Sequence, residues 1–154
     1  MGIKSFIGKR VKRTKVSSEK IKVSDYMTTK LITFRPDQPV IEVMGILIKN
    51  KISGGPVVNE DNELVGIISE VDCIKQISES KYYNQPLSVG TIEEHMSKNV
   101  ETIDGDMNVF DASDKFVKTR FRRFPILVDG KLVGQISVSD VLKAAFEIKG
   151  NFKN

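Results

Sequence analysis

The sequence predicts an α+β (α/β) fold, two tandem βαββα units forming one pseudo-twofold body. Three observations carry that prediction. The chain repeats itself at a fixed spacing, each repeat alternates strand-length and helix-length apolar patterns, and the one deletion between the repeats falls in a turn. Residues 23–77 and 92–146 align with a shift of 69, which becomes 68 after the deletion. The identical pairs are Met27/Met96, Thr33/Thr102, Asp37/Asp106, Val40/Val109, Lys49/Lys118 and Pro56/Pro125. Beyond the gap come Leu64/Leu132, Val65/Val133, Gly66/Gly134, Ile68/Ile136, Ser69/Ser137, Asp72/Asp140 and Lys75/Lys143. The order is preserved throughout, which chance does not produce.

Each repeat opens with a short strand, Leu31–Phe34 or Val100–Ile103, followed by an aspartate placed to cap a helix, Asp37 or Asp106. Pro39 suits the first helical turn, where a missing N–H costs nothing. Val40, Val43, Met44, Leu47 and Ile48 then lie on one helix face. In the second copy Val109, Ala112, Phe116 and Val117 share that face, with Ser113 as its polar member. Gly54-Gly55, or the basic run over residues 119–123, leads to a strand expected to open on Pro56 or Pro125. A hairpin follows: Val57-Val58, a polar turn, then Leu64–Ile68. In the second copy the turn shortens to Asp129-Gly130, the dipeptide of a tight type I′ turn. A last helix starts near Ser69 or Ser137 and carries Val71, Ile74 and Ile77, or Val141, Leu142, Ala145 and Phe146. One copy alone buries too little apolar surface for stability, so the two must pair.

These boundaries divide the chain into a basic tail (1–22), repeat 1 (23–80), a linker (81–91), repeat 2 (92–148) and a short end (149–154). A hydrophobic fraction of 40% supports a real core. No apolar run is long enough to span a membrane, and the opening MGIKSFIGKR has no signal-like apolar stretch. Cys73 is the single cysteine, which fits a reducing compartment and an expectation of cytoplasmic location. The net charge of +4 is uneven: residues 1–22 carry +7 and the remainder −3. Such a tail has two readings, a solvated end that aids solubility or an arm for nucleic acid or another acidic partner. The aromatic stacking residues and recognition helix of a nucleic-acid binder are missing from the pattern, which disfavours the second.

The chemistry concentrates in Gly66-Ile67-Ile68-Ser69-Glu70-Val71-Asp72 and its repeat Gly134-Gln135-Ile136-Ser137-Val138-Ser139-Asp140. Both place a strand end against a helix start, where unpaired amides and a partial positive charge favour a phosphate. Serine there can donate to phosphate or ribose, and an aspartate one turn on can accept both hydroxyls of a ribose diol. The same spacing also describes a capping box, in which serine and aspartate serve only local amides. Spacing alone leaves both readings open.

With its hydrophobic-Pro-hydrophobic strand start and Gly-h-h-Ser-x-x-Asp ending in both copies, the chain over residues 23–146 resembles a cystathionine-β-synthase (CBS) domain pair, or Bateman module. The resemblance implies a non-catalytic regulatory module with no required cofactor. It further implies AMP, ADP, ATP or S-adenosylmethionine in clefts between the repeats, commonly a homodimer, and signalling to a separate effector protein. Carried over residue by residue, one cleft joins Ser137 and Asp140 to Met27, Lys30, Ile32, Ile52 and Ser53. The other joins Ser69 and Asp72 to Met96, Asn99, Glu101, Phe121 and Arg122. The aspartates would hold ribose, Ile32 and Ile52 would sandwich adenine, and Arg120, Arg122 and Arg123 would meet phosphate; an exposed charged turn is the plainer role for these arginines. Glu101 departs from the pattern, standing where Ile32 stands in the first copy, so the Asp72 cleft is expected to be the weaker. His95 and Cys73 are too far apart in sequence for a metal cluster, and no Walker loop, nucleophile elbow or nucleophile–base pairing is present. The expectations are therefore no enzyme, no metal and no membrane span.

Overall fold

The computed structural model describes residues 21–84, 86 and 90–152. The basic tail up to residue 20, linker residues 85 and 87–89 and the last two residues lie outside that range. The elements are α1 (Val40–Asn50), β1 (Gly54–Val58), β2 (Leu64–Ser69), α2 (Glu70–Tyr83), β3 (Ile103–Asp104), α3 (Val109–Thr119), β4 (Arg123–Val128), β5 (Lys131–Ser137) and α4 (Val138–Phe152). Single 3-10 turns at Val23–Asp25 and Ile92–Glu94 open the two copies. β1 pairs antiparallel with β2, and β3, β4 and β5 form a second sheet in that order. The chain is a tandem pair of strand–helix–strand–strand–helix repeats.

The described residues form two compact units. The Asp140 unit holds residues 21–29, Thr102–Val128 and residues 133–152; the Asp72 unit holds Lys30–Glu101 and Asp129–Leu132. Each unit therefore combines most of one repeat with the segment that opens the other. The core of the Asp140 unit gathers Val23, Ile103, Val109, Phe116, Phe124, Ile126 and Ile136. That of the Asp72 unit gathers Phe34, Val40, Val43, Leu47, Val57, Ile68, Ile92 and Met96.

The helix starts explain why the exchanged segments belong where they do. A first helical turn has amides without internal partners. In the Asp72 unit the Val40 amide donates to the Gly90 carbonyl, and Ile92 donates back to Gln38. In the Asp140 unit the Val109 amide donates to Ile21 in the same way. The expected caps, Asp37 and Asp106, are displaced: Pro39 and Asn108 occupy the cap positions. Residues 35–38 close their own turn through Arg35 N–H to Gln38 Oε1 at 2.8 Å, so the helix cannot start at Asp37. Asn108 instead accepts the Asp111 amide at 2.8 Å, and Asp106 pairs with Lys22 at 3.2 Å.

The expected first strands shorten to one parallel bridge, Phe34 to Val57, and to the two residues of β3. That shortening is compatible with proline inside β1 rather than at its start. The Pro56 carbonyl accepts from Phe34, so its missing N–H faces the abbreviated strand and not β2. The Asp129-Gly130 turn has positive φ at both residues, 51° and 78°, as a type I′ turn requires. The last helices differ most from their sequence pattern. In α2 the buried face is Asp72, Cys73, Gln76 and Ser80, while Val71, Ile74 and Ile77 are exposed. In α4 Val141, Ala144 and Ile148 are buried and Leu142 and Phe146 point outward.

Candidate functional site

Both Ser-x-x-Asp corners fold as strand-to-helix junctions with reciprocal caps. Ser137 N–H donates to Asp140 Oδ2 at 2.8 Å, and Asp140 N–H returns to Ser137 Oγ at 3.2 Å. Ser69 N–H donates to Asp72 Oδ2 at 2.9 Å, and Asp72 N–H returns to Ser69 Oγ at 3.2 Å. The capping role is therefore real at both corners. It does not exhaust both aspartates equally. Asp72 Oδ2 also accepts the Ser69 hydroxyl at 2.9 Å, Lys75 Nζ stands 3.8 Å from Oδ1, and the residue is only 6% exposed. Asp140 is half-buried, and among the described residues its Oδ1 accepts no hydrogen bond.

Glycine brings the other repeat's opening segment against each corner. A Cβ on Gly134 would lie 2.7 Å from Met27 Sδ and 2.8 Å from the Thr28 carbonyl. One on Gly66 would lie 2.7 Å from Met96 Sδ and 2.9 Å from the Ser97 carbonyl. Paired backbone hydrogen bonds hold both approaches, Thr28 with Gln135 and Ser97 with Ile67. Met27 thus shares the Asp140 unit with Ser137 and Asp140, and Met96 shares the Asp72 unit with Ser69 and Asp72.

Beside Asp140 lies an open cavity of about 580 Å³. Ile21 and Met27 give it apolar walls, Thr28 and Tyr26 offer hydroxyls, and Asp25, Lys143 and Glu147 complete the rim with Asp140. Tyr26 Oη donates to Glu147 Oε2 at 2.7 Å. That bond pushes the phenol above its ordinary pKa, aided by burial and by the Glu147 and Asp25 charges.

The remaining sequence candidates distribute as follows. Lys30 and Ile32 are exposed in the Asp72 unit. Ile52 packs against its core, and the Ser53 carbonyl accepts the Glu70 amide, which puts Ser53 beside Ser69. Asn99 and Glu101 are exposed in that unit too. Phe121 lies in the Asp140 unit with its ring edge on Phe124, centroids 5.7 Å apart. Arg122 presents its carbonyl to the Val138 amide, beside Ser137, and Arg123 begins β4. Arg120 ends α3 in a left-handed conformation with φ 62°. Among the described residues none of the three arginines lines the cavity.

Sequence reasoning missed Tyr26, Asp25, Thr28, Lys143 and Glu147 as a group. A signal existed: Tyr26 aligns with His95 and Glu147 with Glu79, three and seven residues after each aspartate lie a lysine and this glutamate, and that spacing shares one helix face. In the Asp72 unit the same positions arrange differently. His95 Nε2 lies 2.5 Å from Gln76 Oε1 and 3.8 Å from Glu79 Oε2, its side chain almost fully enclosed. Burial, with Asp72 and Glu70 nearby, pushes the Cys73 thiol above its ordinary pKa, which suits packing rather than nucleophilic chemistry. Among the described residues no group of His, Cys, Asp and Glu could hold a metal ion, and no helix is long and apolar enough to cross a membrane.

Twin helix-start corners, each closed by the other repeat's leading segment, define a class of duplicated strand–helix domains. The CBS domain family matches residues 23–79 and 89–147, and the chain belongs to that family. It is 31% identical over 153 residues to a chloroplastic CBS domain-containing protein, CBSX1, of Arabidopsis thaliana, covering 82% of this chain and 65% of that protein. The chain thus spans just under two thirds of that relative. The crystal structure of CBSX2 in complex with AMP superposes with a TM-score of 0.72 at 28% identity, covering 84% of this chain and 98% of that one. The CBS domain pair of protein MJ0100, in complex with 5-methylthioadenosine and S-adenosylmethionine, superposes at 0.65 with 31% identity, covering 83% and 97%.

Proposed function

We propose that the protein is a non-catalytic sensing module that binds an adenosine-type ligand at the Asp140 corner and reports its occupancy to a separate effector protein. One observation carries the reading: Asp140, whose Oδ1 accepts no hydrogen bond among the described residues, lines a cavity of about 580 Å³, within the range of small-molecule sites. Ribose hydroxyls can donate to that oxygen. The relatives solved with AMP and with S-adenosylmethionine support the ligand class. The cavity takes Met27 and Thr28 from one repeat and Asp140 from the other, so a ligand there favours the arrangement that holds these segments together. A partner that reads that arrangement is linked to the ligand by differential affinity. Leu142 and Phe146 on α4, and Ile74 on α2, are exposed and apolar, which supports a homodimer as the working form.

Calorimetry with AMP, ATP and S-adenosylmethionine tests the site. Asp140→Ala is expected to weaken binding about 10-fold or more, as loss of charge-assisted hydrogen bonds does. Asp72→Ala is expected to leave affinity nearly unchanged. Equal affinities in both variants would overturn the assignment. The reciprocal caps at both corners favour one second reading, a ligand-free dimerisation scaffold. A melting temperature unmoved by saturating adenosyl ligand would select it, since a ligand at 100 times its Kd adds about 2.7 kcal/mol.

A further inference from the structure

Among the described residues, the lining of the Asp140 cavity carries an unbalanced charge. Asp25, Asp140 and Glu147 contribute three carboxylates to its lining, against the single ammonium of Lys143. Local bonds do not neutralise them. Glu147 accepts from the neutral Tyr26 phenol, Asp25 Oδ2 accepts the Lys22 amide at 3.2 Å, and Asp140 Oδ2 accepts the Ser137 amide. Lys22, whose amide meets Asp25, directs its ammonium to Asp106 at 3.2 Å. The raised Tyr26 pKa comes first from its hydrogen bond to Glu147 and from burial, and the Glu147 and Asp25 charges add to it in the same sense. A dianionic phosphate entering this lining meets like charge, whereas a cation meets two uncompensated carboxylates.

Resting on the adenosine reading above, we infer that this cavity selects a nucleoside bearing a cationic 5′ substituent, a sulfonium or ammonium of the S-adenosylmethionine type, over a 5′-phosphorylated one. Adenosine, which carries neither charge, is the reference. Each carboxylate at the rim of a partly solvated site changes the affinity of a charged ligand about 3- to 10-fold. The expected order at low salt is therefore S-adenosylmethionine, then adenosine, then AMP.

Calorimetry on the full chain with these three ligands tests the order, with Glu147→Gln as the probe of its cause. That variant keeps an amide oxygen to accept from Tyr26 and alters an exposed position. It is expected to weaken S-adenosylmethionine and strengthen AMP, shifting their affinity ratio about 3- to 10-fold while leaving adenosine unchanged. Raising the salt should shrink the wild-type difference. Wild-type binding of AMP as tight as, or tighter than, adenosine overturns the inference while leaving the adenosine site intact. An unshifted ratio in Glu147→Gln overturns it too. Binding of none of the three overturns the adenosine reading itself and this inference with it.

Discussion

In the Asp140 unit the loop residue Tyr26 reaches outward to Glu147 on α4, whereas in the Asp72 unit its counterpart His95 turns inward onto Gln76 of α2. The helices beneath them differ accordingly. α4 buries Val141, Ala144 and Ile148, and α2 buries Cys73, Gln76 and Ser80 at the matching positions. An apolar helix face gives Tyr26 no internal acceptor, so its hydroxyl stays at the rim and a cavity remains beside Asp140. A polar face offers His95 a buried partner, and the loop closes over the helix. The Ser-x-x-Asp cap survives in both units because it depends on four consecutive residues alone. Access to the aspartate depends on what the neighbouring face can bond.

The largest effect tests what the units share. Gly66→Ala and Gly134→Ala should each cost about 1–3 kcal/mol, because a backbone carbonyl at 2.9 or 2.8 Å cannot yield as a side chain would. Denaturant titration measures both, and a marked inequality would break the symmetry of the two approaches. The aspartates should then separate the units. Asp72→Ala is expected to destabilise by about 1–2 kcal/mol, since a buried cap leaves donors unpaired. Asp140→Ala should cost less than half of that, because water can reach its corner; equal losses would erase the distinction. Smaller still, Ser80→Ala should be neutral or stabilise by up to about 1 kcal/mol, as the Ser80 hydroxyl is buried without a hydrogen-bond partner among the described residues. A clear loss of stability would mean that α2 needs that hydroxyl.

The smallest effect is pH-dependent and belongs to the Asp140 unit. Tyr26 has a folded pKa above its ordinary 10.0, so the neutral phenol is favoured in the native state. Its stabilising contribution is complete below the unfolded value and is lost as pH rises through the folded one. Ultraviolet titration of tyrosinate, compared with Tyr26→Phe, should show one late-ionising group; Glu147→Gln should bring it back toward 10.0.

The local devices were readable without coordinates. The duplicated order of elements, the Asp129-Gly130 turn and the Ser-x-x-Asp junctions each depend on a few adjacent residues, and they fold as their types dictate. Asp37 misled as a cap because the turn over 35–38, closed by Gln38, moves the helix start to Pro39, and Asp106 because Asn108 accepts the Asp111 amide. Val71, Ile74 and Ile77 suggested a core-facing stripe on α2, but the unit buries Asp72, Cys73, Gln76 and Ser80 instead. Periodicity identifies a helix and an apolar face; it does not say whether that face meets the core or the solvent. Tyr26 and Glu147 went unnoticed because they are 121 residues apart and become partners only through the exchanged opening segment.

The sequence by itself determined a twofold plan, with two strand-to-helix corners built from the same residue types, because short-range sterics and capping bonds act within a few residues. Only the tertiary structure decided which leading segment closes which corner and which aspartate is buried. Those outcomes turn on burial and on contacts between residues far apart in the chain, such as His95 with Gln76 and Tyr26 with Glu147.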